Sequence, residues 1–437
     1  MTSRSRARIS GFGRYSERDT ELLEVLDTDG EALVRTEPLL PRGAGRSYGD
    51  CAQAPRVTRL VGDSEATLDP SSRLLRAPAQ LTIRETFEWV RARGFHLAVV
   101  PGTGLATLGG CVAADVHGKN HHRAGTFGQA VEGFELLTPA LGRVEVTARS
   151  DPELFLATIG GMGLTGIITK VSLRLAEGPV AGIRRVVRAR GDLEAVVREL
   201  VEARSTHSVA FVDPMARGRS LGRGMVELGE PTSTPVAPRR LPRISIPELP
   251  TSFVRRPLVR AFDDVVLGTA RLLERLGPVI VPAESYFFPL DGVAGWNRLY
   301  GPKGFVQLQV LVPDLAPLTR IVELLASRCP TIGLGVLKVM GSGAAGLLSF
   351  PRPGLCLALD LPVREGLLEA LDRAHDETCA AGGRLYLAKD ATMRPLHFDA
   401  IYGDVRTRFL RVKERVDPRF FVTSDQSCRI GLTPRGR

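Results

Sequence analysis

Val99-Val100-Pro101-Gly102-Thr103-Gly104-Leu105, running on to Asp115-Val116-His117-Gly118-Lys119-Asn120-His121-His122, decides the reading of this chain. A glycine-rich turn comes first, then a helix of small residues, then a cluster of polar, titratable side chains. Glycines let a backbone approach a ligand closely and offer bare N–H groups to anions. The His/Lys/Asn cluster adds hydrogen bonds and positive charge. The combination predicts a pocket for a large, polyanionic, partly flat ligand, and a dinucleotide cofactor fits that description.

Two further glycine turns flank this stretch. Pro41-Arg42-Gly43-Ala44-Gly45-Arg46-Ser47-Tyr48-Gly49-Asp50 presents successive N–H groups as an anion nest. Arg42, Arg46 and Ser47 are read as adding to pyrophosphate binding. Gly161-Met162-Gly163-Leu164-Thr165-Gly166 matches GxGxxG, but its context is wrong for a Rossmann turn. A helix is expected before it, a strand after it, and Arg184 and Arg185 stand where an acid is needed. NAD by that route is disfavoured, and no GxxxxGK[ST] loop is present.

Local signals fill in the elements. Thr82-Ile83-Arg84-Glu85 is a capping box opening a helix toward Arg93. Residues 96–100 read as a buried strand, and 134–137 with 144–146 as a hairpin. Asp151-Pro152 opens a short helix over 153–158. From about Val180 the texture changes. Strands such as Phe305-Val306-Gln307-Leu308-Gln309-Val310 alternate, and helices are expected over 192–203, 315–327 and 365–380. This predicts an antiparallel sheet backed by helices, with one polar face. Residues 230–250 hold Pro231, Pro235, Pro238, Pro242, Pro247 and Pro250 with Arg239, Arg240 and Arg243, and read as a mobile loop or linker. Such a basic segment could touch a membrane surface.

Bulk properties set the bounds. The 437 residues suffice for two or three domains, with 43% hydrophobic and 24% charged residues. No apolar run reaches the ~18 residues of a membrane span. The basic start lacks an apolar segment after it, so no secretory signal is expected. Six scattered cysteines without CxxC spacing point to a reducing, cytoplasmic setting and no zinc site. The net charge of +10 favours anionic partners. Nucleic acid is not expected, because no aromatic-basic motif appears. No metal is expected at His117, His121 and His122, since only Asp115 lies near.

Taken in order, the first loop, Pro101-Gly102-Thr103, Gly109-Gly110, His117-Gly-Lys-Asn-His-His122 and Gly160-Gly-Met-Gly-Leu-Thr-Gly166 resemble the FAD-binding domain of the vanillyl-alcohol-oxidase (PCMH-type) flavoproteins. Within that superfamily the chain resembles the branch that oxidises a polyprenylphosphoryl ribose as half of a 2′-epimerisation in actinobacterial arabinan and cell-wall synthesis. The likeness extends through 216–223, 288–291, 296–300, Gln307, Gln309, Lys338 and 383–390. It implies an α+β fold: a two-part FAD-binding domain, 1–176 plus 384–437, with an antiparallel-sheet substrate (cap) domain, 177–383.

The resemblance also implies roles. Arg42, Gly43, Ala44, Gly45, Arg46, Ser47, Tyr48, Pro101, Gly102 and Thr103 would hold FAD, with Gly109, Gly110, Asn120, Gly163 and Ile167 supporting it. Many relatives tether FAD through a histidine in the first loop; Arg46 takes that place, which implies non-covalent FAD. His117 and Lys119 would lie at the flavin, and Tyr386 and Lys389 would return to it from the far end. Tyr48, Tyr300, Gln307, Gln309, Lys338 and Cys356 would line the substrate face. Lys338 is the candidate base or phosphate anchor, His117 the rival base, and Lys389 or Lys119 the cation for reduced flavin. The family's Asn and Cys are replaced by Cys356 and Ala358, which leaves a different glycosyl phosphate or a nucleoside-like sugar open as substrate. Expected partners are a phosphorylated or lipid-linked sugar, an NAD(P)H-dependent short-chain reductase and a membrane surface. An alditol or aldonolactone oxidase, or a non-catalytic FAD or glycolipid binder, are the alternatives.

Overall fold

The computed structural model describes residues 3–62, 65–178, 180–234, 236 and 244–434. Alternating residues and glycine-closed turns build three main sheets. The first half carries a four-stranded sheet ordered Ser3–Ser10, Glu17–Leu26, Arg56–Val61, Leu40–Pro41. It also carries a five-stranded antiparallel sheet ordered Thr67–Asp69, Leu74–Pro78, Ile167–Arg174, Val131–Thr138, Gly142–Thr147. The later half forms an eight-stranded antiparallel sheet ordered Val279–Pro282, Gly182–Arg190, Gly224–Thr232, His207–Val212, Gly335–Met340, Gly354–Pro362, Phe305–Val312, Arg384–Leu385. Helices Leu193–Glu202, Leu315–Arg328 and Leu367–Ala380 bury apolar faces in this half. The fold is α+β, with antiparallel pairing dominant.

Several local readings hold. Thr82 caps the Ile83–Arg91 helix with the reciprocal Glu85 bond, which satisfies two otherwise orphaned N–H groups. Asp151 caps Pro152–Thr158, with proline in the first turn where its missing N–H costs nothing. The Val131–Thr138 and Gly142–Thr147 hairpin forms in register.

One reading is corrected. Residues 96–100 are not a strand. Only Phe95–His96 pair, with Ala176–Glu177. Leu97, Val99 and Val100 are buried, but the Asn120 amide takes the Ala98 carbonyl, and Pro101 cannot donate to a ladder. The expected polar face of the Phe305–Val312 strand is buried at Gln307 and Gln309. They point into a site rather than into water. The expected loop over 230–250 lies partly outside the described residues. Of the rest, Gly224–Thr232 continues as strand through Pro231, and Ile244–Ser245 pairs with Val293–Ala294.

The Pro395–Val416 helix and the turns after it return to the first half. Lys413, fully buried, donates to the Leu164 and Val422 carbonyls and to Asp417. Asp425 N–H donates to the Gln53 carbonyl at 2.8 Å, and Arg18 reaches the Asp425 carboxylate at 2.6 Å. Arg429 donates to Asp50 and to Asp390.

Candidate active site

Period-two alternation sets one face of the eight-stranded sheet. Gln307 pairs with Asp360, Gln309 with Ala358, Val336 with Ala358, and Lys338 with Cys356. Directly paired residues share a face, so these side chains converge. Against that face stand His117, Lys119, Tyr386 and Lys389 from outside the sheet's central strands.

His117 is the centre. Its Nδ1 lies 3.1 Å from Lys338 Nζ, and its Nε2 lies 2.8 Å from the Gln309 amide nitrogen. The same amide donates to Cys356 Sγ at 3.3 Å. An amide N–H toward Nε2 makes that ring nitrogen an acceptor. The ring proton then sits on Nδ1 and donates to Lys338, which must be a free amine. Desolvation agrees. Burial, then Lys338, His121 and Lys389, hold His117 well below the usual histidine range, and burial draws Lys338 down from the usual lysine value.

Lys389 lies 3.4 Å from the centre of the Tyr48 ring, and burial lowers it to about 7 despite Asp360. Lys119 donates to the Tyr286 carbonyl at 2.7 Å and sits 3.7 Å from Glu227. Burial, opposed by Glu227, sets it at about 8. Tyr386 stacks on Phe350 and donates to the Ala114 carbonyl, fixing the end of the small-residue helix Leu108–Ala113.

The first glycine loop fits an anion. Among the described residues, the N–H groups of Gly43, Ala44, Gly45, Arg46 and Ser47 have no protein acceptor. Gly45 adopts φ +63°, a left-handed geometry that side chains resist. The Tyr48 N–H is held by the Ala388 carbonyl at 3.0 Å. A Cβ on Gly49 would strike the Asp390 carbonyl. The Gly102 turn is open, with nothing near a Cβ there. Gly163, at φ +78°, packs on Pro41, and Ile167 opens the strand behind it. Gly109 abuts Ala79, while the Gly110 N–H is taken by the Thr107 cap. These two support the wall from behind.

Some expected contacts differ. The Arg42 guanidinium is turned inward, donating to the Ala52 and Ser10 carbonyls at 2.7 and 2.8 Å. It braces the loop and is spent on that, so it does not face a phosphate. Arg46 instead lies over Phe12, its Nε buried without an acceptor. Asn120 is likewise structural, held on Ala98. Tyr300 stacks on Phe305 at 4.0 Å and donates to Asp360 at 3.2 Å, so it supports the site floor. His121 accepts from the Gly341 N–H and His122 donates to the Ser205 carbonyl, tying this cluster to the sheet.

Three carboxylates were given no site role by the sequence reading. Asp291 receives Thr103, the Gly104 N–H and Arg84, fixing the second glycine turn. Asp115, buried with φ +41°, receives the Gly128 and Ala345 N–H groups and Ser349. Asp360 receives Gln307 at 2.6 Å, and burial raises it to about 6. The spacing 356, 358, 360 was the available signal.

Asp360 makes a pH test. Its folded pKa lies above the ordinary 3.8, so its favourable contribution is complete below pH ~4 and is lost as pH rises through about 6. Asp360→Asn should therefore gain stability relative to the parent as pH rises from 4 to 7, by on the order of 2–3 kcal/mol. Urea unfolding at both pH values checks this. A gap that stays constant with pH contradicts it.

Beside Lys119 a cavity of about 310 Å³ extends along the same sheet face, between the sheet and the Arg256–Leu276 helix. Glu227 and Tyr286 line it, with Phe211, Met225, Phe262 and Leu267. Among the described residues no group of three or more His, Cys, Asp and Glu could hold a metal ion. Among them too, no helix is long and apolar enough to cross a membrane.

Comparison with known proteins agrees with this geometry. Residues 22–148 match the FAD binding domain family. The chain is 32% identical to decaprenylphosphoryl-β-D-ribose oxidase of Mycolicibacterium smegmatis, covering 97% of each. It is 36% identical to an uncharacterized protein of Streptomyces coelicolor over 80% of this chain and 100% of that one. L-Galactono-1,4-lactone dehydrogenase of Brassica oleracea is 26% identical over 38% of this chain and 29% of its own length. The chain is an FAD-dependent oxidoreductase and belongs to the decaprenylphosphoryl-β-D-ribose oxidase family.

Proposed function

We propose that the protein oxidises a secondary hydroxyl of a polyprenylphosphoryl ribofuranose to a keto sugar, the first half of a 2′-epimerisation in arabinan and cell-wall synthesis. The observation that carries this is the chain Lys338–His117–Gln309 on a desolvated sheet face beside the glycine turns. FAD, when bound, supplies the acceptor for the sugar's C–H hydride. The residues do the rest. Lys338, as a free amine, takes the O–H proton. The proton rests on Lys338 Nζ, while the neutral His117 ring, held at Nε2 by the Gln309 amide, positions the amine. Gln309 thus fixes the tautomer that meets Lys338 as a free amine before the transfer. Lys389 and Lys119 supply positive charge, and the N–H groups of residues 43–47 hold the pyrophosphate.

The apolar cavity beside Lys119 supports a lipid-linked substrate, since it offers the polyprenyl end a dry path from the reacting sugar. Cys356 and Ala358 make the sugar side of this site smaller and less polar than the Asn and Cys of the family pattern. The domain division proposed is 1–176 with 384–437 around FAD and 177–383 as cap. It is supported by the bonds from Tyr386, Lys413, Asp425 and Arg429 to the first half. The keto product would pass to an NAD(P)H-dependent short-chain reductase. The setting proposed is cytoplasmic, at a membrane surface; all six cysteines are free thiols, as a reducing compartment keeps them.

Anaerobic mixing with ribosyl phosphates, alditols and nucleosides tests the reading. Bleaching of the flavin by a glycosyl phosphate is expected, and bleaching by none of the three classes defeats it. A second outcome concerns the tether. Arg46 offers no nucleophile to the flavin ring, so acid precipitation should release all FAD to the supernatant. Yellow colour that stays with the pellet contradicts non-covalent binding.

A further inference from the structure

Six of the 58 basic residues are lysines, and the rest are arginines. Two of the six lie toward solvent: Lys303 is exposed, and the Lys170 side chain is 35% exposed. The other four, Lys119, Lys338, Lys389 and Lys413, are buried or half-buried. A lysine can give up its proton on burial and an arginine cannot, so the surroundings decide the charge at these positions. Lys413 serves the fold, bonded to Asp417 and two carbonyls. The remaining three face the site, and their carboxylates differ. Lys119 has Glu227 at 3.7 Å, and Lys389 has Asp360 to favour its charge. Lys338 has no ion pair among the described residues; its neighbours there are His117 and the Cys356 thiol.

The sheet places Glu227 for Lys119. Phe211 pairs with Met225 on one side and with Val336 on the other. Glu227 and Lys338 each lie two residues further along those outer strands, so they stand level on one face. Two strand spacings part them, about 10 Å. Lys119 reaches in from outside the sheet and meets both: Glu227 favours its charge, and Lys338 opposes it. The Lys119 and Glu227 side chains are 11% and 8% exposed, so water screens the pair little. Arg185 donates to the second Glu227 oxygen at 3.1 Å. The Tyr286 carbonyl and ring, at 2.7 and 3.8 Å, also suit an ammonium. Burial and the Arg185 charge work against it, and His207, which burial holds at about 4, adds no charge at neutral pH. Repulsion is mutual, so a charged Lys119 makes a charge on Lys338 harder to hold.

We propose that Glu227 is a positioning residue: it keeps Lys119 a cation, and that cation keeps Lys338 the free amine that accepts the hydroxyl proton. The use of Lys338 rests on the functional reading above; the charges on the two lysines do not. Holoenzyme labelled with 13Cε-lysine offers six signals to titrate, which Lys119→Arg and Lys338→Arg assign. Glu227→Gln keeps the size of the side chain and an acceptor for Arg185. In it the Lys119 midpoint should fall from about 8 by roughly one to three pH units, and the Lys338 midpoint should rise. Adding Lys119→Arg restores a charge that cannot be lost, and should return Lys338 to its parent midpoint. Lys119→Met, which leaves Glu227 with Arg185, should raise Lys338 in the same way and decides the matter if the glutamine variant does not fold. Anaerobic flavin reduction by a ribosyl phosphate reads the consequence: its rise with pH should move to higher pH in Glu227→Gln and move back in the double variant. A Lys119 or Lys338 midpoint that stays in place in Glu227→Gln overturns the proposal, even if reduction slows equally at every pH. If the parent flavin is still bleached by a glycosyl phosphate, that failure leaves the functional reading intact. Midpoints that move as stated, with a reduction profile that does not follow them, sustain the proposed charges and defeat Lys338 as the base.

Discussion

Lys338→Ala should leave FAD bound and the fold intact yet slow flavin reduction by roughly two to four orders of magnitude, the range for a lost acid–base group. The side chain is half-buried, and on its own strand that face otherwise carries Val336 and Met340, where an unused cation would carry only a desolvation cost. Among the described residues its hydrogen-bond partner is His117, and the substitution orphans no carboxylate there. Stopped-flow reduction under anaerobic conditions reads the result. The rate in the parent should rise with pH, because the free amine is the active form. If only the apparent substrate affinity weakens, Lys338 is a phosphate anchor and His117 takes the role of base. If neither changes, the assignment of the sheet face is wrong.

Removing Arg429 should have the largest effect on stability. Its guanidinium meets both Asp50 oxygens at 2.9 and 2.7 Å and Asp390 at 2.9 Å. Burial pushes the Asp390 carboxyl up, but Arg429 and His375 outweigh it and hold it below the ordinary range. The Arg429→Ala protein must keep two buried carboxylates without their cation, a loss of about 3–5 kcal/mol. FAD should be lost with it, because Asp50 closes the first glycine loop and Asp390 closes the segment that carries Lys389. Arg429→Lys keeps the charge but not the fork, so it should fall between the two. Urea midpoints and retained flavin absorbance measure both effects. For Asp390 the sign is that of a depressed carboxylate: its contribution is present above pH ~4 and fades as pH falls through its lower folded value. A variant as stable as the parent at pH 7 would show that the clamp is incidental.

What could be read from the chain was what local chemistry controls. Thr82 and Glu85 lie three apart and cap each other. Gln307 and Gln309 lie two apart and share a face. Glycine turns announce themselves by composition, and so did the three around the first sheet. The site residues His117, Lys338, Tyr386 and Lys389 came from motif likeness, and the structure brings them together. What escaped depended on partners far along the chain. Arg42 sits in a loop that reads as phosphate-binding, yet two carbonyls, one of them at Ser10, capture its guanidinium. Asp291 and Arg429 look like ordinary surface charges until folding sets them against Gly104 and Asp50. Asp360 sits in an apolar strand, where only its register against Gln307 shows that it faces the site. Alternation alone shows that two faces of the Phe305–Val312 strand differ; that Gln307 and Gln309 line a site came from the motif likeness.

The Arg429–Asp50 clamp spans 379 residues of chain. At roughly 5–20 residues per second of synthesis, the first glycine loop waits about 20–75 seconds for the segment that closes it. During that interval a nascent chain on the ribosome has the loop but not Ala388, Asp390 or Arg429. Flavin capture therefore waits for the segment that carries Asp390 and Arg429 to fold against the loop. A stalled nascent chain ending before residue 384 should hold no FAD, however long it is incubated, while chains that include the folded closing segment acquire it.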